Sequence, residues 1–302
     1  MKIGKIRLDL PRRDHWIAFG FILPSLLVFA AFMFYPLAYT AYLSFFDWNM
    51  IKPVKTFVGW NNYIALVQDP LTYAVLKNTA AYIAILLLLN CAAPYALAFV
   101  LSFVIKRGGG FYKSAFFLPS VISLVVGSIL YLWILNPISG PVALIAGWFG
   151  VSLPVWSKTE GLVIAVLSLI TTWKVFGYNF IVLFGGVAGV PREVIEAARI
   201  DNVPLHRIFF DIVLPMSSAT GVYILIMTIV QGLQYVFTPI KVITQGGPDN
   251  ASSNIIYSVY QEGFVLYRTG YASAFAIAAM VLFVALLVLE FRYVEKGVYY
   301  EN

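Results

Sequence analysis

The sequence predicts an all-α fold: a polytopic transmembrane helical bundle of about six spans. Three observations predict it. Of 302 residues, 61% are hydrophobic and only 11% charged, where a soluble domain carries roughly a quarter charged residues. The apolar residues come in long charge-free blocks instead of recurring at the spacing of a surface helix. Each block also reaches the length of about 20 apolar residues that a helix needs to cross the hydrocarbon layer.

The first block, 16–46, contains no Asp, Glu, Lys or Arg. It follows Lys2, Lys5, Arg7, Arg12 and Arg13, the order found in a signal peptide, but it is too long for a cleaved apolar core and no small-residue cleavage site follows. It is expected to stay as a first span, bent or shortened at Pro24 and Pro36. The blocks 78–105, 114–157, 212–240 and 269–289 are equally free of charge, and 161–191 contains a single one, Lys174. Asn136-Pro137 and Ser139-Gly140-Pro141 must break the block at 114–157, leaving 142–149 as an apolar helix too short to span. Spans are therefore placed near 16–46, 75–105, 114–135, 161–187, 212–240 and 270–290. Residues 16–293 form the membrane domain, between a terminal segment at 1–15 and a tail at 294–302.

Six spans put both termini on one side. That side would hold Lys2, Lys5, Arg7, Arg12, Arg13, Lys106, Arg107, Lys113, Arg192, Arg199, Arg207, Arg292 and Lys296, thirteen basic residues. The other would hold six, Lys52, Lys55, Lys77, Lys158, Lys241 and Arg268. The excess of Lys and Arg on cytoplasmic loops assigns both termini to the cytoplasm. Orientation thus accounts for the net charge of +6, and no nucleic-acid partner is expected. Cys91 is the single cysteine, and His15 and His206 stand far apart. Disulfides and a multi-cysteine or histidine-cluster metal site are excluded within the chain.

The loop at 190–211 holds the most informative pattern. Pro191 suits the first position of a helix, and Glu193 then lies in the first turn, where the dipole favours negative charge. Asp201-Asn202 ends it, since Asn tolerates the left-handed conformation that closes helices. Val203 precedes Pro204 and is pushed towards an extended conformation. A helix of about ten residues is marginal alone in water and needs a surface to hold it. Ala197 and Ala198 would allow close approach by another protein, and Glu196 and Asp201 could pair or cap. From the residues alone, a solvated connector is an equal reading.

Glu196-Ala197-Ala198, then Asp201, then Leu214-Pro215 thirteen residues later, resembles the cytoplasmic "EAA" loop of ABC importer permeases. Asn202 stands where glycine is usual, and Asn is the next best residue for a positive φ. Phe117-Leu118-Pro119-Ser120, Thr172-Trp173-Lys174 and Thr244-Gln245-Gly246-Gly247-Pro248 are similar to carbohydrate-uptake permeases of the maltose and glycerol-phosphate type. The resemblance runs from about residue 16 to 293. It implies a type I ABC importer permease fold in a bacterial or archaeal cell (inner) membrane. The chain would pair with a second permease subunit, two ATPase subunits and an extracytoplasmic solute-binding protein, in contact with membrane lipid. The loop would be a coupling helix: Glu193 and Glu196 meeting the ATPase, Ala197 and Ala198 in its cleft, Asp201 and Asn202 fixing the turn. No G-x-x-x-x-G-K-[ST] phosphate loop occurs, so ATP and magnesium would belong to the partner ATPase. The chain itself would carry no cofactor and no catalytic residue. The cargo implied is an oligosaccharide, with glycerol phosphate or a related polyol as the alternative.

A solute pathway needs polar groups inside the spans. Lys174 is the single charge well inside one, and an intramembrane ionisable group marks a functional position by default. No Asp or Glu lies in a span interior, which disfavours an ion-coupled carrier. Thr171, Lys174 and Tyr178 share one helical face at i, i+3 and i+7, with Asn179 adjacent. These positions match the substrate-contacting stretch of the maltose-type relatives. On the fifth span Thr228, Gln231, Gln234 and Tyr235 form a polar stripe. Ser120 and Ser123 are weaker candidates. Each of these residues either binds cargo or holds helices together, the commoner role of polar groups in membranes.

Overall fold

The computed structural model describes residues 12–105 and 109–293. Lys2, Lys5, Arg7, Lys106, Arg107, Lys296 and the tail at 294–302 lie outside the described residues. Within them the chain forms twelve helices and one two-stranded hairpin.

Helix α1 (12–43) is continuous through both prolines. A wide, π-type turn at Ala30–Phe34 precedes Pro36. The same device recurs at Leu88–Ala92 before Pro94 and at Ile208–Val213 before Pro215. Proline removes a donor and crowds the preceding turn; one extra residue in that turn relieves the crowding without ending the helix. The apolar stretch Phe19–Leu43 is left almost wholly uncovered by the rest of the chain, with Leu43 alone buried.

At the far end of α1, strands β1 (Phe46–Asp47) and β2 (Thr56–Phe57) pair antiparallel, Phe46 opposite Phe57. Helix α2 (Asn61–Gln68) follows. Helix α3 (Pro70–Val104) starts on Asp69, whose carboxylate accepts from Leu71 N–H at 2.9 Å. Helices α4 (Gly109–Phe117, extended by the tight turn Leu118–Val121) and α5 (Leu124–Ile134) meet at 100°.

The stretch expected to hold a third span near 114–135 is a pair of helices that meet at this bend. Pro119 occupies the tight turn, and Ile122 and Ser123 are extended, with ψ of 141° and 132°. Non-helical backbone at membrane depth survives where it lines a cavity or is buried in protein. Five helices are long and apolar enough to cross a membrane, and the bent pair, taken as one broken span, makes six. Helix α6 (Pro141–Trp148) is apolar, exposed at Leu144, Ile145 and Trp148, and too short to cross.

Helix α7 (Leu162–Ala188) is the axis of the bundle. It packs against α3, α4, α5 and α10 (Ser218–Thr244). Leu167, Ile170, Phe180 and Leu183 are fully buried along it. Two small residues permit close crossings beside α7. A Cβ on Gly127 would lie 2.8 Å from the Trp173 ring, and one on Gly177 would strike the Phe116 carbonyl. Small residues let helix backbones approach in membranes, where apolar surface alone drives no association.

Helix α8 (Arg192–Ile200) and helix α9 (205–216) form the connection between α7 and α10. On the opposite side of the bundle, α11 (255–265) leads into α12 (Thr269–Tyr293). There the turn after α10 is pinned inward. Asn78 donates to the carbonyls of Asn250 and Ser253, and the Tyr82 hydroxyl donates to Ser252 O at 2.9 Å.

Candidate functional site

Two places in the fold carry the chemistry: a cavity half-way along α7 and α10, and the exposed face of α8.

The cavity has a volume of 360 Å3 and is lined by Phe117, Ser120, Lys174, Val175, Tyr178, Gln231 and Tyr235. It therefore gathers Ser120, Lys174, Tyr178, Gln231 and Tyr235 from three separate stretches of sequence. The Tyr178 hydroxyl lies 3.3 Å from that of Tyr223. Tyr223 has no counterpart among the residues singled out from the sequence, because only the packing of α7 on α10 brings the two phenols together. Tyr178, Tyr223 and Tyr235 are all exposed within the isolated chain. Amide, hydroxyl and phenol groups of this kind can donate to and accept from a polyhydroxylated solute, and aromatic rings offer it an apolar face.

Lys174 is held by the break between α4 and α5. Its ammonium donates to the carbonyls of Ser120 and Ile122, the second at 2.7 Å, and the Ser120 hydroxyl donates back to Lys174 O at 3.0 Å.

The remaining pathway candidates point elsewhere. Thr171 is fully buried, and its hydroxyl returns to Leu167 O at 2.9 Å on its own helix. Asn179 is buried and donates to Asn90 O at 2.7 Å and to the Thr228 hydroxyl at 3.1 Å. Asn90 in turn donates to the Thr172 hydroxyl at 2.9 Å. This network fastens α3, α7 and α10 to one another. Gln234 lines a separate, largely apolar cavity between α10, α11 and α12. A residue three positions on is turned 60° from its predecessor on a helix, and four positions on only 40°, so Gln231 and Tyr235 stay together while Gln234 leaves them.

Helix α8 is amphipathic in the plain sense that two of its residues face inward. Ile195 and Ala198 are buried in an apolar cluster with Phe180, Leu183, Val187 and Ile208. Glu193, Glu196, Ala197, Arg199 and Asp201 are exposed. Ala198, expected beside Ala197 in a partner's cleft, is 8% exposed and packs on its own bundle. It falls at i+3 from Ile195, on the same face. Pro191 stands one position before the helix, as its N-cap residue. Val194 and Ile200, neither singled out from the sequence, are exposed, Ile200 at 80%.

The far end of α8 closes as expected of Asn202, with φ of 56°. Asn202 N–H bonds to Arg199 O at 3.1 Å and Val203 N–H to Ala198 O at 3.0 Å, the paired bonds of a Schellman ending. Arg199 reaches back across the bundle to donate to Phe103 O at 2.5 Å, near the end of α3. Between the two helices lies a groove of 540 Å3 that includes Glu196 and Arg192.

Among the described residues no group of three or more His, Cys, Asp or Glu side chains could hold a metal ion.

Known proteins resemble the chain in sequence and in fold. Residues 110–299 match the family model described as binding-protein-dependent transport system inner membrane component. A probable ABC transporter permease protein YurN of Bacillus subtilis is 29% identical over 284 residues, covering 93% of this chain and 97% of that one. The sn-glycerol-3-phosphate transport system permease protein UgpA of Brucella abortus is 30% identical over 278 residues, covering 92% and 94%. Among solved structures, a chain of a bacterial ABC transporter involved in import of the acidic polysaccharide alginate shares the fold. Its TM-score is 0.78 at 20% identity, over 94% of this chain and 96% of that one. By its sequence and its fold, the chain belongs to the binding-protein-dependent inner membrane transport components.

Proposed function

We propose that this chain is one of two permease subunits in an ATP-driven importer of carbohydrates or related polyhydroxylated solutes. In this reading the cavity on α7 and α10 is half of the solute pathway, completed by the second permease. Both termini and α8 lie in the cytoplasm, and cargo arrives on the other side from a solute-binding protein. The chain performs no chemistry itself; ATP and magnesium belong to two ATPase subunits.

The observation that carries the reading is the construction of α8. One face is buried against the bundle through Ile195 and Ala198, while the other presents Glu193, Val194, Glu196, Ala197 and Ile200 outward. A helix packed on the bundle through Ile195 and Ala198 that still exposes Ile200 is both held in place and open to a partner. A lever that receives a push from another subunit needs both properties. The glycerol-3-phosphate system of one relative and the alginate importer of similar fold support a polyhydroxylated cargo, as do the phenols, amide and hydroxyl of the cavity.

The test is Glu196→Lys in the complete transporter. ATP-driven uptake is expected to be lost while the chain still inserts and assembles; uptake at the wild-type rate would remove the coupling role.

A further inference from the structure

The cavity contains one charged side chain, and its attachments decide what that charge is for. The ammonium of Lys174 points at the bend between α4 and α5 and donates to two backbone carbonyls, Ser120 O and Ile122 O. A bend of 100° in mid-span interrupts the helical ladder, so its carbonyls need donors from outside it. These carbonyls also cluster at the C-terminal end of α4 and its tight turn, where the helix dipole amounts to about half a negative charge and favours a cation. The Ser120 hydroxyl closes the arrangement by donating to Lys174 O at 3.0 Å. A lysine that only snorkelled towards water would make none of these bonds.

We propose, building on the importer reading above, that Lys174 is a positioning residue that caps the broken span, and that the cavity consequently takes an uncharged polyhydroxylated solute in preference to an anionic one. Two of the three N–H donors of the ammonium are given to these carbonyls, and turning them to an anion would leave both carbonyls without a donor at membrane depth, where an unsatisfied polar group is costly. The other polar groups that line the cavity, from Ser120, Tyr178, Gln231 and Tyr235, are neutral hydroxyl, phenol and amide groups suited to sugar hydroxyls. Lys174 thus holds the cavity wall in place, and its neighbours read the cargo.

The experiment uses the complete transporter in proteoliposomes, with a neutral oligosaccharide and with glycerol phosphate as probes. Lys174→Met is expected to lower the maximal uptake rate at least tenfold with KM for the neutral probe unchanged within twofold. Lys174→Arg, which still donates to carbonyls, is expected to restore most of the rate. A tenfold rise in KM at an unchanged maximal rate in Lys174→Met would make Lys174 a cargo ligand and overturn the proposal. So would wild-type uptake of glycerol phosphate in preference to the neutral probe. If Lys174→Met does not assemble, Lys174→Arg carries the test: an unchanged KM upholds the cap, and a tenfold change refutes it. A wild-type complex that moves neither probe sinks the importer reading instead. The cap is then judged by melting of the solubilised complex, which Lys174→Met should lower by roughly 5 °C; equal melting would refute it.

Discussion

The guanidinium of Arg199 donates to the backbone carbonyl of Phe103 at 2.5 Å, across 96 residues of sequence. The bond ties the exposed connection between α7 and α10 to the end of α3, so α8 cannot shift without dragging a second membrane helix. An end-of-helix carbonyl that receives a cation is a favourable partnership in its own right.

Removing it should uncouple motion more than it destabilises the fold. Arg199→Met is expected to reduce uptake by the complete transporter about fivefold, in line with the loss of roughly 1 kcal/mol from a solvent-exposed charged hydrogen bond. Its melting temperature should stay within a few degrees of wild type. Parallel uptake and melting curves check this; unchanged uptake would show that the tie transmits nothing.

Gly177 makes a different prediction. Its missing Cβ allows the α4 backbone at Phe116 and Phe117 to lie against α7, directly beside the cavity. Gly177→Ala should force the two helices apart, with a cost of about 1–3 kcal/mol as in other overpacked contacts. Melting should fall by several degrees, and uptake should fall with it. Gly185→Ala, where nothing lies within 4 Å of the added Cβ, is the control expected to melt as wild type does.

On the opposite side, Arg268 grips the buried Glu262 with two bonds of 2.6 Å. The hydrogen bond to Glu262 holds the guanidinium pKa above its ordinary value. A raised folded-state pKa on a basic group stabilises at all pH below the unfolded value and is lost only as pH climbs past it. For arginine that window lies far above working pH. The stability contributed through Arg268 is therefore expected to be flat from pH 6 to 9. Glu262→Gln should lower the melting temperature by the same amount throughout, as measured at several pH values in that range. A difference that shrinks with rising pH would mean a different group controls this corner.

Much of this was readable from residues. Charge-free blocks locate the helices because the cost of a charge in hydrocarbon leaves few alternatives. Asn202 adopts a positive φ where Asp201-Asn202 was expected to end α8. Three features were not readable. Pro119 stands in the tight turn before the extended Ile122 and Ser123; the proline is visible in the sequence, but packing decides whether it bends a span or divides it in two. Thr171 shares a helical face with Lys174 and Tyr178 by spacing, yet neighbouring helices cover it completely. Periodicity gives direction around an axis but not what stands opposite. Tyr223 meets Tyr178 only because α7 and α10 pack side by side. The inward turn of Ala198, by contrast, follows from its spacing with Ile195.

In the importer proposed above, the outward face of α8 receives a nucleotide-hydrolysing subunit on the cytoplasmic side. This contact is tested most directly by cysteine cross-linking in the assembled complex, in a background where the single native cysteine, Cys91, is replaced by serine. Ala197→Cys and Ile200→Cys are predicted to form adducts with the ATPase subunit, while the buried Ala198→Cys forms none. Labelling of Ala197→Cys by an impermeant reagent from outside the cell, or adducts at Ala198→Cys alone, would contradict the account.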